Sequence, residues 1–207
     1  MTTMASRKLT LDDILDARAY ERERSAMRER IMALKQRRRV HLGTIITVTF
    51  ENRETMRYQI QEMARVERIF TDEGINEELA AYNPMVPEPG QLCATLFIEL
   101  TSDDQVREWL PKLVGIETHV RFVLPNGDTV RCEVDPQHAA QLTREHATAA
   151  VHYLTFAFTP EQVAAFGAAE GSDGVGVRLE IDHPQYLESI ELAPSTVAEL
   201  LTDLRPD

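Results

Sequence analysis

The stretch from Leu42 to Phe70, LGTIITVTFENRETMRYQIQEMARVERIF, constrains the fold more than any other part of the chain. Leu42, Thr44, Ile46, Val48 and Phe50 alternate with a period of two, which predicts one strand with a single buried face, and Asn52 is a suitable N-cap for the helix after it. On that helix, running to Phe70, Met56, Ile60, Met63 and Phe70 share one arc. Tyr58, Val66 and Ile69 bring apolar bulk to the far side, leaving a polar stripe of Arg57, Gln61, Arg65 and Arg68. A helix apolar on two sides is expected to be central. Glu67 falls within the first arc and Glu62 between Tyr58 and Ile69, so two carboxylates stand where the pattern asks for apolar residues. Burying a carboxylate costs on the order of several kcal/mol unless it is paired or metal-bound. Two partners fit: a neighbouring arginine, among Arg53, Arg57, Arg65 and Arg68, or a metal ion, with the two glutamates on different faces and hence on different ions.

Two histidines join them as metal-ligand candidates. His152 alternates in register with Leu154, Phe156 and Phe158, which puts its imidazole on a buried strand face, as a hydrogen-bonded core histidine or a ligand for iron or another transition metal. His183 lies in a tight turn beside Pro184. His138 and His146 stand in a polar linker, and no HxxxH or HExxH pair exists in the chain. His41 and His119 read as surface residues. GxSxG, P-loop and GxGxxG motifs are also absent, so no motif names a reaction. Cys93 and Cys132 fall in strand-like runs and read as buried thiols.

The chain of 207 residues is 43% hydrophobic and 27% charged, the composition of a soluble globular protein that needs no disulfide staples. Nothing at the N-terminus resembles a leader and no later run is long enough to span a bilayer, so a cytoplasmic protein without a membrane partner is expected. Charge is uneven. Residues 1–70 hold 15 Lys and Arg against 10 Asp and Glu, whereas residues 71–207 hold 7 against 24. The acidic body disfavours nucleic acid, and the opposite signs of the two parts allow attraction within one chain or across a homo-oligomer. The basic run Lys35, Arg37, Arg38, Arg39 ends a predicted helix, where cations offset the macrodipole.

Thr10 and Asp13 read as a short capped turn. From about Ala19 to Arg39 follows a solvated helix whose narrow seam, Met27, Ile31 and Leu34, should dock on the body or on a partner. Asp72 to Gly90 begins as a short helix and ends in a Pro-rich loop. LCATLFIELTSDDQVREWL then overlays on AVHYLTFAFTPEQVAAFG, Leu96 on Leu154 and Trp109 on Phe166. Each run reads strand, capped turn, helix, with Ser102 and Thr159 as the caps, and each leads to a hairpin, the first with Asn126-Gly127 at its turn. A final helix spans roughly Ser195 to Leu204 and should bury Val197, Leu200, Leu201 and Leu204. The expected architecture is α+β: an N-terminal helical arm (1–40), a first lobe (41–135) and a second (136–207), with mixed or antiparallel sheets built from duplicated strand-helix-hairpin units.

RKLTLDDIL, KQRRRVHLGTIITVTFENRETMRYQIQEMARVERI and YNPMVPEPGQLCATLFIEL, together with VHYLTFAF and IDHPQY, resemble a bacterial family of about this length that carries only an unknown-function label. That resemblance implies a cytoplasmic protein often encoded beside a rubrerythrin and an iron-sulfur oxidoreductase, and so a role near non-haem iron or peroxide chemistry. It assigns no functional residues. The function expected is therefore a non-catalytic accessory or binding protein of such a redox system. Its rival is a non-haem metal enzyme drawing on Glu62, Glu67, His152 and His183.

Overall fold

The alternation of the opening stretch does bury its apolar residues, but on two strands rather than one. In the computed structural model, which describes residues 7–134, 147–169 and 176–206, β1 (Arg39–Leu42) turns at residues 43–45 into β2 (Ile46–Glu51), with Leu42 opposite Ile46. A three-residue loop preserves parity, so Val40, Leu42, Ile46 and Val48 read as one continuous period although the chain has reversed. Gly43 makes the turn at φ +68, and a β-carbon there would lie 2.4 Å from Tyr186 Oη and 2.6 Å from Glu188 Oε1. Gly43→Ala should cost about 1–3 kcal/mol in urea unfolding, through the positive φ and displacement of the Tyr186 hydroxyl from its 2.7 Å bond to Leu42 O.

Six helices and two antiparallel four-stranded sheets make up the described fold, an α+β protein. Sheet A has the order β1-β2-β3-β6, with β3 at Gln91–Ile98 and β6 at Val151–Ala157. Sheet B has the order β5-β4-β7-β8, with β4 at Val120–Val123, β5 at Thr129–Arg131, β7 at Arg178–His183 and β8 at Tyr186–Glu191. One apolar core, drawn from Val40 through Leu204, fills the space between the sheets. Phe122 is its centre: its ring lies 4.8–5.8 Å from those of Phe50, Phe156, Phe158 and Phe166. Helices α4 (Asp103–Lys112), α5 (Pro160–Ala168) and α6 (Pro194–Leu204) close this core, and Ser102 and Thr159 cap α4 and α5 as expected.

The other face of sheet A is covered over its two central strands. Helices α1 (Ala17–Arg38), α2 (Arg53–Glu67) and α3 (Asp72–Tyr82) cover it, so β2 is buried at all six positions instead of alternate ones. The seam of α1 docks on the body: Met27 and Ile31 pack with Tyr20 and Tyr58. Met56 and Ile60 of α2 pack with Leu79, Met85 and Cys93. Thr47, Thr49, Glu51 and Thr95, all buried, share the Cys93 face and form a polar seam beneath the helices.

The basic run at the end of α1 has a more specific task than offsetting a helix dipole. Arg37 and Arg38 both pair with Glu199 of α6, and Arg38 also donates to Asp203.

Candidate functional site

Residues 7–16 form no strand; side-chain amides strap them across α2 and α3. Gln61 accepts from Leu15 N (2.8 Å) and donates to Leu15 O (3.2 Å), and Asn83 does the same to Leu9 at 2.8 and 2.9 Å. Arg53 pairs with Asp13 at 2.6 Å, Arg57 donates to Asp13 O, and Asp16 caps α1 by accepting from Arg18 N and Ala19 N.

Between this strap, the first turn of α1 and the end of α2 lies a cleft of about 800 Å³, within the size range of ligand and anchor-residue pockets. Ile14, Leu15, Val66, Ile69, Phe70 and Ile75 supply apolar walls, and Arg18, Arg65, Arg68, Asp16, Glu21 and Asp72 supply charge. Arg65 and Glu21 pair with each other. Val66 and Phe70 are 68% and 72% exposed at the mouth. The reason is local: Arg68 adopts the left-handed conformation (φ 58) and ends α2 early, so Phe70 leaves the helical arc on which periodicity placed it. Glu67, the last residue of α2, is exposed, which corrects its expected place on a buried face.

Glu62 is half-buried beside the cleft and engaged as an ion pair. Its partner comes from α1 and not from the arginines of its own helix: Arg24 Nε and Nη2 donate to its two oxygens at 2.7 and 2.8 Å, and Tyr20 Oη donates to Oε1 at 2.5 Å. The Arg24 hydrogen bonds hold the carboxyl below its ordinary range, against burial, with Tyr20 helping. A lowered folded-state pKa contributes stability that is full above the unfolded value and lost as pH falls through the folded one. The stability gap between wild type and Glu62→Gln, measured by urea unfolding, should therefore be constant from pH 7 to 5 and close in more acidic buffer.

His152 and His183 are both buried and both spent on local bonds. His152 Nε2 lies 2.9 Å from Ala149 O and 2.8 Å from Thr148 Oγ1, and burial favours the neutral ring. His183 Nδ1 accepts from Gln185 N at 3.2 Å, so Nε2 carries the proton donated to Val114 O at 3.1 Å, and the ring packs edge-on to half-buried His119. The two histidines stand on different sheets, remote in topology from Glu62 and Glu67 on α2. Among the described residues no three His, Cys, Asp or Glu side chains gather as a metal-ligand cluster. His138 and His146 lie outside the described residues. Burial pushes both thiols up to about 11, which keeps Cys93 and Cys132 protonated and poor nucleophiles at neutral pH.

A family model described as a protein of unknown function, DUF3501, matches residues 8–204. The chain belongs to the DUF3501 family. This DUF3501 chain is also similar to a crystal structure, at 1.90 Å resolution, of a novel protein of unknown function from Burkholderia pseudomallei K96243. The two share 36% identity and a TM-score of 0.85, over 95% of this chain and 99% of that one. Comparison with curated proteins gives no match. No helix among the described residues of this DUF3501 chain is long and apolar enough to cross a membrane.

Sequence reasoning missed the cleft because its walls come from the strap, α1, α2 and α3 together. The one local signal was the run Val66, Ile69, Phe70, too apolar for a helix end facing water.

Proposed function

We propose that this protein is a non-catalytic binding protein, an accessory of a cytoplasmic redox system, and that the cleft beside the strap receives an acidic partner segment bearing large apolar side chains. The observation that carries the reading is the pair Val66 and Phe70, exposed at the mouth of a cleft of about 800 Å³ that joins apolar walls to charged ones. Adjacent exposed apolar side chains at a concave site are the usual mark of a docking surface. The acidic character of the partner is supported by Arg18 and Arg68 at the rim and by the basic excess of residues 1–70. The redox partner is supported by the family resemblance alone: a rubrerythrin or an iron-sulfur oxidoreductase is the chemistry expected at the other end of the contact. Co-purification from native cells tests this. Retention of such a partner by the wild-type chain is the expected result, and recovery of the chain alone overturns it.

The two strand-helix-hairpin runs are read as duplicates. Supporting this, the overlay that sets Leu96 on Leu154 also sets Thr95 on Tyr153, and those two residues face each other across antiparallel β3 and β6, as a local two-fold axis requires.

A further inference from the structure

We propose that Glu51 anchors a buried site for a monovalent cation in the polar seam between sheet A and the helical layer. This does not rest on the docking reading. Glu51 is 3% exposed and Thr49 is 1% exposed, on the same face of β2. Glu51 Oε1 accepts from Thr95 Oγ1 at 3.0 Å, which fixes the carboxylate. Its Oε2 is buried without a hydrogen-bond partner, and so is Thr49 Oγ1, whose residue sits directly opposite Thr95.

A carboxylate that stays ionised away from water needs a counter-charge or a metal ion. Among the described residues no Lys, Arg or His pairs with Glu51. Arg39, opposite Thr49 on β1, is exposed and makes no ion pair with Glu51. Lys8 bonds to the carbonyls of Asn83 and Val86. Cys93, opposite Glu51 on β3, is held as the neutral thiol by burial. The donor set is therefore one carboxylate oxygen with hydroxyl oxygens, a hard-ligand site. One carboxylate balances one positive charge. Sodium or potassium fits both the donors and the charge.

The test compares thermal unfolding of the full chain in sodium, potassium and choline chloride at equal ionic strength. A cation at about ten times its dissociation constant should raise the midpoint by about 3 °C or more over choline. Glu51→Gln, which keeps the shape and removes the charge, should abolish that rise. Thr49→Val should increase several-fold the cation concentration giving half the effect, and it serves as the readout should Glu51→Gln fail to fold. Equal midpoints in all three salts overturn the site, and so does a rise that persists unaltered in the variants. A response confined to calcium or magnesium overturns the monovalent assignment.

Discussion

Arg38→Met should destabilise the fold by about 3–5 kcal/mol, a fall of roughly 10 °C in midpoint for a chain of this size. Arg38 has no exposed surface. Its Nη1 and Nη2 donate to Asp203 Oδ2 at 2.7 and 2.8 Å, and its Nε donates to Glu199 Oε1 at 3.1 Å. Burial pushes the Asp203 carboxyl up, and the Arg38 bonds only partly offset it. Taking Arg38 away leaves a carboxylate in an apolar setting, which is more costly than losing the contact itself. The double variant Arg38→Met with Asp203→Leu should therefore recover most of the loss. The deficit of the single variant should also shrink as pH falls and Asp203 takes up a proton. A double variant as unstable as the single one would show that packing, not charge, sets the effect.

Phe70→Asp, alone or with Val66→Asp, should weaken partner binding by at least about 100-fold, the scale on which a central aromatic anchor acts. Because both side chains are mostly exposed, the unfolding midpoint should stay within about 1 °C of wild type. Co-purification and titration calorimetry read the first quantity and a thermal melt the second. Unchanged binding with an unchanged melt removes the cleft mouth as the docking surface.

Features set by neighbours in sequence were legible before the fold was known. Asn52, Ser102 and Thr159 cap the helices they were expected to cap, Asn126-Gly127 turns a hairpin, and the last helix buries Val197, Leu200, Leu201 and Leu204. Features set by distant neighbours were not. Glu62 was correctly read as needing a partner, yet the choice of Arg24 over four nearer arginines depends on how α1 lies against α2. Thr47, Thr49 and Glu51 have the polarity of a solvated strand face, and only the packing of three helices reveals them as buried. Arg68 adopts a left-handed conformation that no glycine or asparagine announces, and one residue there decides whether Phe70 joins the core or the surface. Arg37 and Arg38 show the same limit: their charge was plain, while their acceptors lie far along the chain on α6.

The strap has a consequence for how the molecule opens. Residues 7–16 contribute no rung to either sheet; side-chain bonds hold them, as does the burial of Leu9 against Met56 and Ile60. Their detachment therefore leaves both ladders and the phenylalanine cluster untouched. The energetic threshold for exposing the floor of the cleft, Gln61 and Ala64, is then that of a local fluctuation and not of global unfolding. A visiting segment able to offer Gln61 the same paired N–H and C=O that Leu15 offers would compete with the protein's own backbone for that amide, making occupancy a contest between two peptides of like geometry.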